Sequence, residues 1–208
     1  MSPRAADPDI RTALVETAAR LLTEEGPSAL TTRRLAREVG ASTMAVYTHF
    51  GGMDELRAAI SIEGFRRLGR RMKLVKHTAD PAADAVALGR AYRRNALANP
   101  DLYREMFGSH PENWIMDPAD QAMTLNTFLT LVEAVQRSID AKRLVSGDAW
   151  AVASQVWAGL HGIVMLELSG FLSHADAVRT SDEMMFNLAV GLGDDPTLAH
   201  RSVFGAPK

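Results

Sequence analysis

The segment 31–50, TTRRLAREVGASTMAVYTHF, constrains the fold more than any other stretch of the chain. Thr31 and Thr32 suit the start of a short helix that runs to Val39 and ends at Gly40. Ser42 suits the start of a second helix that ends near Phe50. Ala36 lies where that second helix must approach the first closely. Gly40 lies in the turn, where a positive φ costs glycine least. Val46 would pack beneath the first helix, with Leu35 and Val39 completing a small core. A small residue, a glycine four positions on and an apolar residue six further meet the steric needs of a helix-turn-helix.

The remaining sequence also reads as helix. Ile10, Leu14, Ala18, Leu21 and Leu22 share one face of a helix over about 8–25, which Gly26-Pro27 ends. After Gly51-Gly52, Leu56, Ile60, Leu68, Met72 and Val75 predict a longer helix to about Lys76. Asp80-Pro81 and Asp117-Pro118 each pair an N-cap with a first-turn proline, and Asn99-Pro100 ends one helix and opens another. SGDAW (146–150) opens a further helix, and Thr180 with Glu183 suits a capping box for a last helix through Leu192. No strand alternation or repeat interrupts this pattern. The expected fold class is all-α, with a three-helix helix-turn-helix head over 8–52. A connecting helix over 53–77 would join it to a helical bundle over 78–200.

Several function classes lack support. No nucleophile elbow, phosphate loop or paired carboxylates are present, so no enzyme is expected. The six histidines, 49, 77, 110, 161, 174 and 200, show no i,i+4 pair and no acidic companion at metal spacing, so neither metal nor cofactor is expected. The chain has no cysteine, and MSPRAADPDIR lacks the apolar core of a signal peptide, which makes a cytoplasmic location the expectation. VWAGLHGIVMLELSGFL, interrupted by His161 and Glu167, reads as a buried helix and not as a membrane span. A net charge of −2 gives no global signal for nucleic acid, so the argument rests on local distribution.

That distribution favours the head. The helix over 43–50 carries hydroxyl and ring groups where an ordinary solvated helix would carry Lys and Glu. The second helix of a helix-turn-helix lies in the DNA major groove. Ser42 and Thr43 would present free backbone N–H groups to a phosphate. Thr43, Met44 and Thr48 would face base edges, and Tyr47 and His49 can donate to phosphate oxygens. Arg33, Arg34 and Arg37 surround a single Glu38, and the charged residues within 64–77, Arg66, Arg67, Arg70, Arg71, Lys73 and Lys76, are all basic.

Residues 10–60, above all ALTTRRLAREVGASTMAVYTHFGGMDEL, resemble the DNA-binding head of the tetracycline-repressor (TetR) family of transcriptional regulators. The resemblance implies phosphate contacts from Thr32, Tyr47 and His49. It implies base-edge contacts from Thr43, Met44 and Thr48, with Arg33 as a further candidate. One departure is visible. Where family members commonly carry a lysine after the recognition helix, this chain has Gly51, Gly52 and Met53, and each lost phosphate contact flattens the salt dependence by roughly one unit of slope.

NPDLYREMFG (99–108) and WAGLHGIVMLELSG (157–170) are similar to a C-terminal subclass of the family marked by Trp-x-x-x-His-Gly. Trp157 and His161, four apart, share a helix face. His161 has three readings: a core histidine, a polar group that orients a ligand in an apolar pocket or, least favoured, a metal ligand. Tyr103, Met106, Phe107, Trp114, Met123 and Phe128 are candidate liners of a pocket for an apolar or mixed small-molecule effector, and they could equally be plain core. The last two helices, about 147–172 and 181–192, are apolar on more than one face, which suits a homodimer. The resemblance implies a dimeric repressor that binds a palindromic operator and is released by effector. The alternative is a ligand-binding helical protein whose head does not bind DNA.

Overall fold

The computed structural model describes residues 8–108, 116–145 and 147–205. Among the described residues there are ten α-helices, one 3-10 turn and no strand. They form two compact units: 8–67 with 98–108 and 116–124, and 68–97 with 125–145 and 147–205. The first unit contains helices α1 (Pro8–Glu25), α2 (Thr32–Val39), α3 (Thr43–Phe50) and α6 (Pro100–Met106). The second contains α8 (Ala149–Leu168), α9 (His174–Gly191), α10 (Pro196–Phe204) and nearly all of α5 (Pro81–Ala98). Helices α4 (Met53–Met72) and α7 (Pro118–Asp140) contribute residues to both units.

The first unit is built on α1. Leu14, Ala18, Leu21 and Leu22 are fully buried on its inner face and pack with Leu30, Leu35, Val46, Phe50, Leu56, Ile60 and Leu102. Each such leucine or valine contributes about 1.5–3 kcal/mol relative to exposure. Ion pairs tie the polar edges of α1 and α2: Arg20 reaches Glu24 at 2.8 Å and Glu38 at 2.9 Å, and Arg34 reaches Glu25 at 2.8 Å and Glu38 at 2.9 Å. Helix α6 joins the same core through Leu102. Met106 packs so closely on α4 that a Cβ at Gly64 would lie 2.4 Å from its Cγ.

In the second unit, Val86, Leu131, Val135, Ala153, Val156, Leu160, Val164, Ala177, Met185, Ala199 and Val203 are buried. A polar clamp joins four segments of this unit. Arg143 pairs bidentately with the buried Asp194 at 2.6 and 2.7 Å and reaches Asp80 and Ser202 at 2.9 Å each. Arg137 bonds Asp84 at 2.8 Å and the Thr78 carbonyl at 2.7 Å.

Three boundaries differ from expectation. Helix α4 ends at Met72, not near Lys76. The amides of Leu74 and Val75 bond to the carbonyls of Arg71 and Met72 three residues back, which closes the helix. Helix α9 starts at His174, so Thr180 and Glu183 lie inside it and form no capping box. Its N-cap is Ser173, whose hydroxyl accepts the Asp176 N–H at 3.1 Å. Gly170, at φ 77°, turns the chain directly after α8, and Ala177, Ser181 and Met185 continue one buried face at four-residue spacing. Helix α10 was not expected at all. It opens at Asp195-Pro196, where the Asp195 carboxylate accepts the N–H groups of Thr197 and Leu198 at 2.8 and 3.0 Å.

Candidate nucleic-acid interface

The head presents α3 through a sharply defined turn. The Thr31 hydroxyl caps α2 by accepting the Arg34 N–H at 3.2 Å. At the other end Gly40 adopts the left-handed conformation, φ 70° and ψ 27°, and the Ala41 N–H bonds back to the Ala36 carbonyl at 2.8 Å. Ala36 is buried, so the close approach expected of it is present. Ser42 occupies the N-cap of α3, but its side chain makes no capping bond, unlike that of Thr31. Its hydroxyl is exposed at the helix N-terminus, where the macrodipole favours an anion.

Helix α3 divides into two faces. Val46 and Phe50, four apart, are buried against the head, and Arg11 lies over the Phe50 ring at 5.1 Å. Thr43, Met44, Tyr47 and Thr48 are exposed, Met44 at 63% and Tyr47 at 50%, and Met44 and Thr48, four apart, lie opposite the buried pair. Exposing a methionine and a tyrosine this fully gives up apolar burial, so their presence fits contact with a partner. The His49 ring is half-buried, 6.4 Å from the Phe50 ring. Thr32 is half-buried at the start of α2, and Arg33 is exposed beside it.

The three arginines of α2 are not equivalent. Arg34 is held by Glu25 and Glu38. Arg33 and Arg37 are exposed and make no ion pair among the described residues. Arg37 was not among the expected contacts. No sequence signal separates it from Arg34, because the difference depends on Glu25 arriving from α1. Farther on, Arg66 and Arg67 bond Glu63 at 2.7 and 2.9 Å, so part of the basic run over 64–77 is neutralised locally. Where the lysine is absent, a Cβ at Gly52 would lie 3.0 Å from the Glu55 carboxylate, and Asp54 and Glu55 fill the first turn of α4. These carboxylates offset the pull of that helix end on a phosphate.

The candidate effector residues fall in two groups. In the first unit, Tyr103 and Met106 are buried, and the Phe107 ring stacks edge-on against Tyr103 at 5.0 Å and Phe65 at 5.4 Å. Met123 is half-buried in that unit. In the second unit, Phe128 meets Trp150 at 4.9 Å and Trp157 at 5.9 Å, and Trp157 lies 6.2 Å from His161. The His161 Nδ1 lies 3.1 Å from the Tyr92 hydroxyl, and burial pushes its imidazole below the ordinary value, which favours the neutral ring at pH 7. Trp114 lies outside the described residues. Among the described residues no cluster of three or more His, Asp or Glu could hold a metal ion.

Known proteins place this geometry in a family. Residues 14–60 match the model of bacterial regulatory proteins of the tetR family, and residues 85–188 match the tetracyclin repressor-like C-terminal domain. The chain is 25% identical over 191 residues to the uncharacterized HTH-type transcriptional regulator Rv0681 of Mycobacterium tuberculosis, covering 88% of this chain and 81% of that one. A solved structure of a protein with unknown function from Rhodococcus sp. RHA1 superposes with a TM-score of 0.74 at 26% identity, over 93% of this chain and 100% of the other. The fold alone is shared with a TetR-family transcriptional regulator from Pectobacterium atrosepticum, with a TM-score of 0.67 at 20% identity over 91% of this chain and 97% of that one. The chain belongs to the tetR family of transcriptional regulators, and its head is that family's helix-turn-helix DNA-binding domain.

Proposed function

We propose that this regulator is a homodimeric, ligand-released repressor that reads a palindromic operator through α3. The observation that carries the reading is the two-faced recognition helix. Val46 and Phe50 seat it, and Thr43, Met44, Tyr47 and Thr48 stand free beside the exposed Ser42. Thr43, Met44 and Thr48 contact base edges, with Arg33 beside them. Thr32, Ser42, Tyr47 and His49 bind phosphates and set the register. Residues 8–52 act as the DNA-binding domain, 53–77 as the connection and 78–200 as the effector-binding and dimerisation domain.

Dimerisation is supported by α8, the one helix among the described residues long and apolar enough to cross a membrane, yet with only 33% of its most apolar stretch buried within the chain. Its exposed Trp157, Met165 and Leu166 suit the same face of a second copy, and twofold symmetry would present two recognition helices at the spacing of successive major grooves. Effector bound beside Phe128, Trp157 and His161 releases DNA only if it binds the two conformations with different affinity, and a coupling of about 1–3 kcal/mol is typical. The test is selection of bound sequences from a random duplex pool, repeated with Tyr47→Ala and His49→Ala. An enriched palindrome lost in both variants supports the reading. No enrichment at low salt, with or without candidate ligands, would leave a ligand-binding protein whose head does not read DNA.

A further inference from the structure

Helices α5, α8 and α9 of the second unit line a cleft of about 340 Å³, and Phe128, Trp157 and His161 are not among its lining residues. Its volume is within the range of small-molecule sites. Val86, Leu97, Leu160, Val178 and Met185 supply an apolar wall. Arg90, Arg93 and Arg94 supply a cationic one, all from two turns of α5.

The three guanidiniums are held differently. Arg90 bonds Asp182 at 2.9 Å and the Val203 carbonyl at 2.7 Å. Arg93 is only 9% exposed. Its Nε and Nη2 bond the Glu167 carboxylate at 2.7 and 2.5 Å, and Nη2 also lies 3.2 Å from His174 Nδ1. No hydrogen bond among the described residues reaches its Nη1. Arg94 is exposed on the rim and makes no hydrogen bond or ion pair among the described residues. Three guanidiniums against the carboxylates of Glu167 and Asp182 leave one positive charge in excess. A site with one excess charge, planar donors and an apolar wall suits a single carboxylate.

We propose that this cleft binds an organic monocarboxylate with an apolar body, its carboxylate held by Arg94 and by Nη1 of Arg93, its body on Leu97, Val178 and Met185. The site stands independently of the regulatory reading, because binding is measured without DNA. Isothermal titration of the full chain with octanoate, benzoate and uncharged octanol tests it. The expected result is one octanoate per chain, with octanol and Arg94→Gln each weaker by about tenfold or more. Arg179→Gln removes an equal charge from α9, at a position paired with Asp176 outside the cleft, and leaves the affinity unchanged. Circular dichroism confirms that each variant is folded. Absence of binding by both carboxylates at millimolar concentration, equal binding of octanol, or an Arg94→Gln variant that binds like the wild type would each overturn the proposal.

Discussion

Replacing Gly40 isolates the turn that sets α3. The residue sits at φ 70° and ψ 27°, and a Cβ added there would meet nothing within 4 Å. Steric collision is therefore excluded, and the cost of a side chain is the cost of the left-handed backbone alone. For an ordinary L-residue that is about 1–2 kcal/mol. Asparagine visits this region readily, so Gly40→Asn should cost much less than Gly40→Ala. The effect belongs to the head, so amide hydrogen exchange read peptide by peptide is the appropriate assay. Gly40→Ala should speed exchange across α2 and α3 by about 5- to 30-fold, the ratio that 1–2 kcal/mol implies, with α9 unchanged. If Asn costs as much as Ala, the backbone argument is wrong and side-chain volume is responsible. If neither variant changes exchange, the turn is not held by this conformation.

Other consequences follow from the same structure. Arg143→Ala leaves the carboxylate of Asp194 buried without its partner and should destabilise the chain by about 3–5 kcal/mol in urea unfolding, whereas the double change Arg143→Met with Asp194→Leu should recover most of that. Burial alone would raise the Asp84 carboxyl, but hydrogen bonds from Thr78 and Arg137 outweigh it and hold the group below its ordinary value. Its contribution is therefore complete above the unfolded value of about 3.9 and lost as pH falls through the folded one, so acid unfolding should be less steep in Asp84→Asn. Arg37→Gln should weaken binding to all duplexes and flatten the salt dependence by about 0.9 of a slope unit, while Arg34→Gln, already engaged by Glu25 and Glu38, should alter the slope less.

Local chemistry was the legible part of the fold. Thr31, Asp80 and Asp117 accept the backbone N–H groups that their types and positions predict, because capping is decided within four residues. The same chemistry misleads where two caps compete. Ser173 with Asp176 starts α9, and the later Thr180 with Glu183 is absorbed into the helix, because the turn at Gly170 already fixes where the chain re-enters the bundle. Asp195-Pro196 carried the same signal as Asp80-Pro81 and was readable in principle. In the head, the split between Val46 with Phe50 and Met44 with Thr48 was visible as helical spacing. The inequality of Arg33, Arg34 and Arg37 was not, since it depends on Glu25 arriving from α1. The aromatic candidates were less legible still: periodicity places Tyr103 and Trp157 on helix faces, but only tertiary packing assigns them to different clusters.

The central claim is that the exposed face of α3 reads bases, and an altered-specificity selection tests it most directly. The random-duplex selection is repeated with Thr43→Ala, Met44→Ala and Thr48→Ala, positions whose side chains leave the buried Val46 and Phe50 undisturbed. The account predicts that each variant still enriches a palindrome of the same spacing but relaxes the preference at its own position in each half-site, by about 1–3 kcal/mol of discrimination. An unchanged consensus in all three variants, with affinity unchanged or merely lowered, would contradict it.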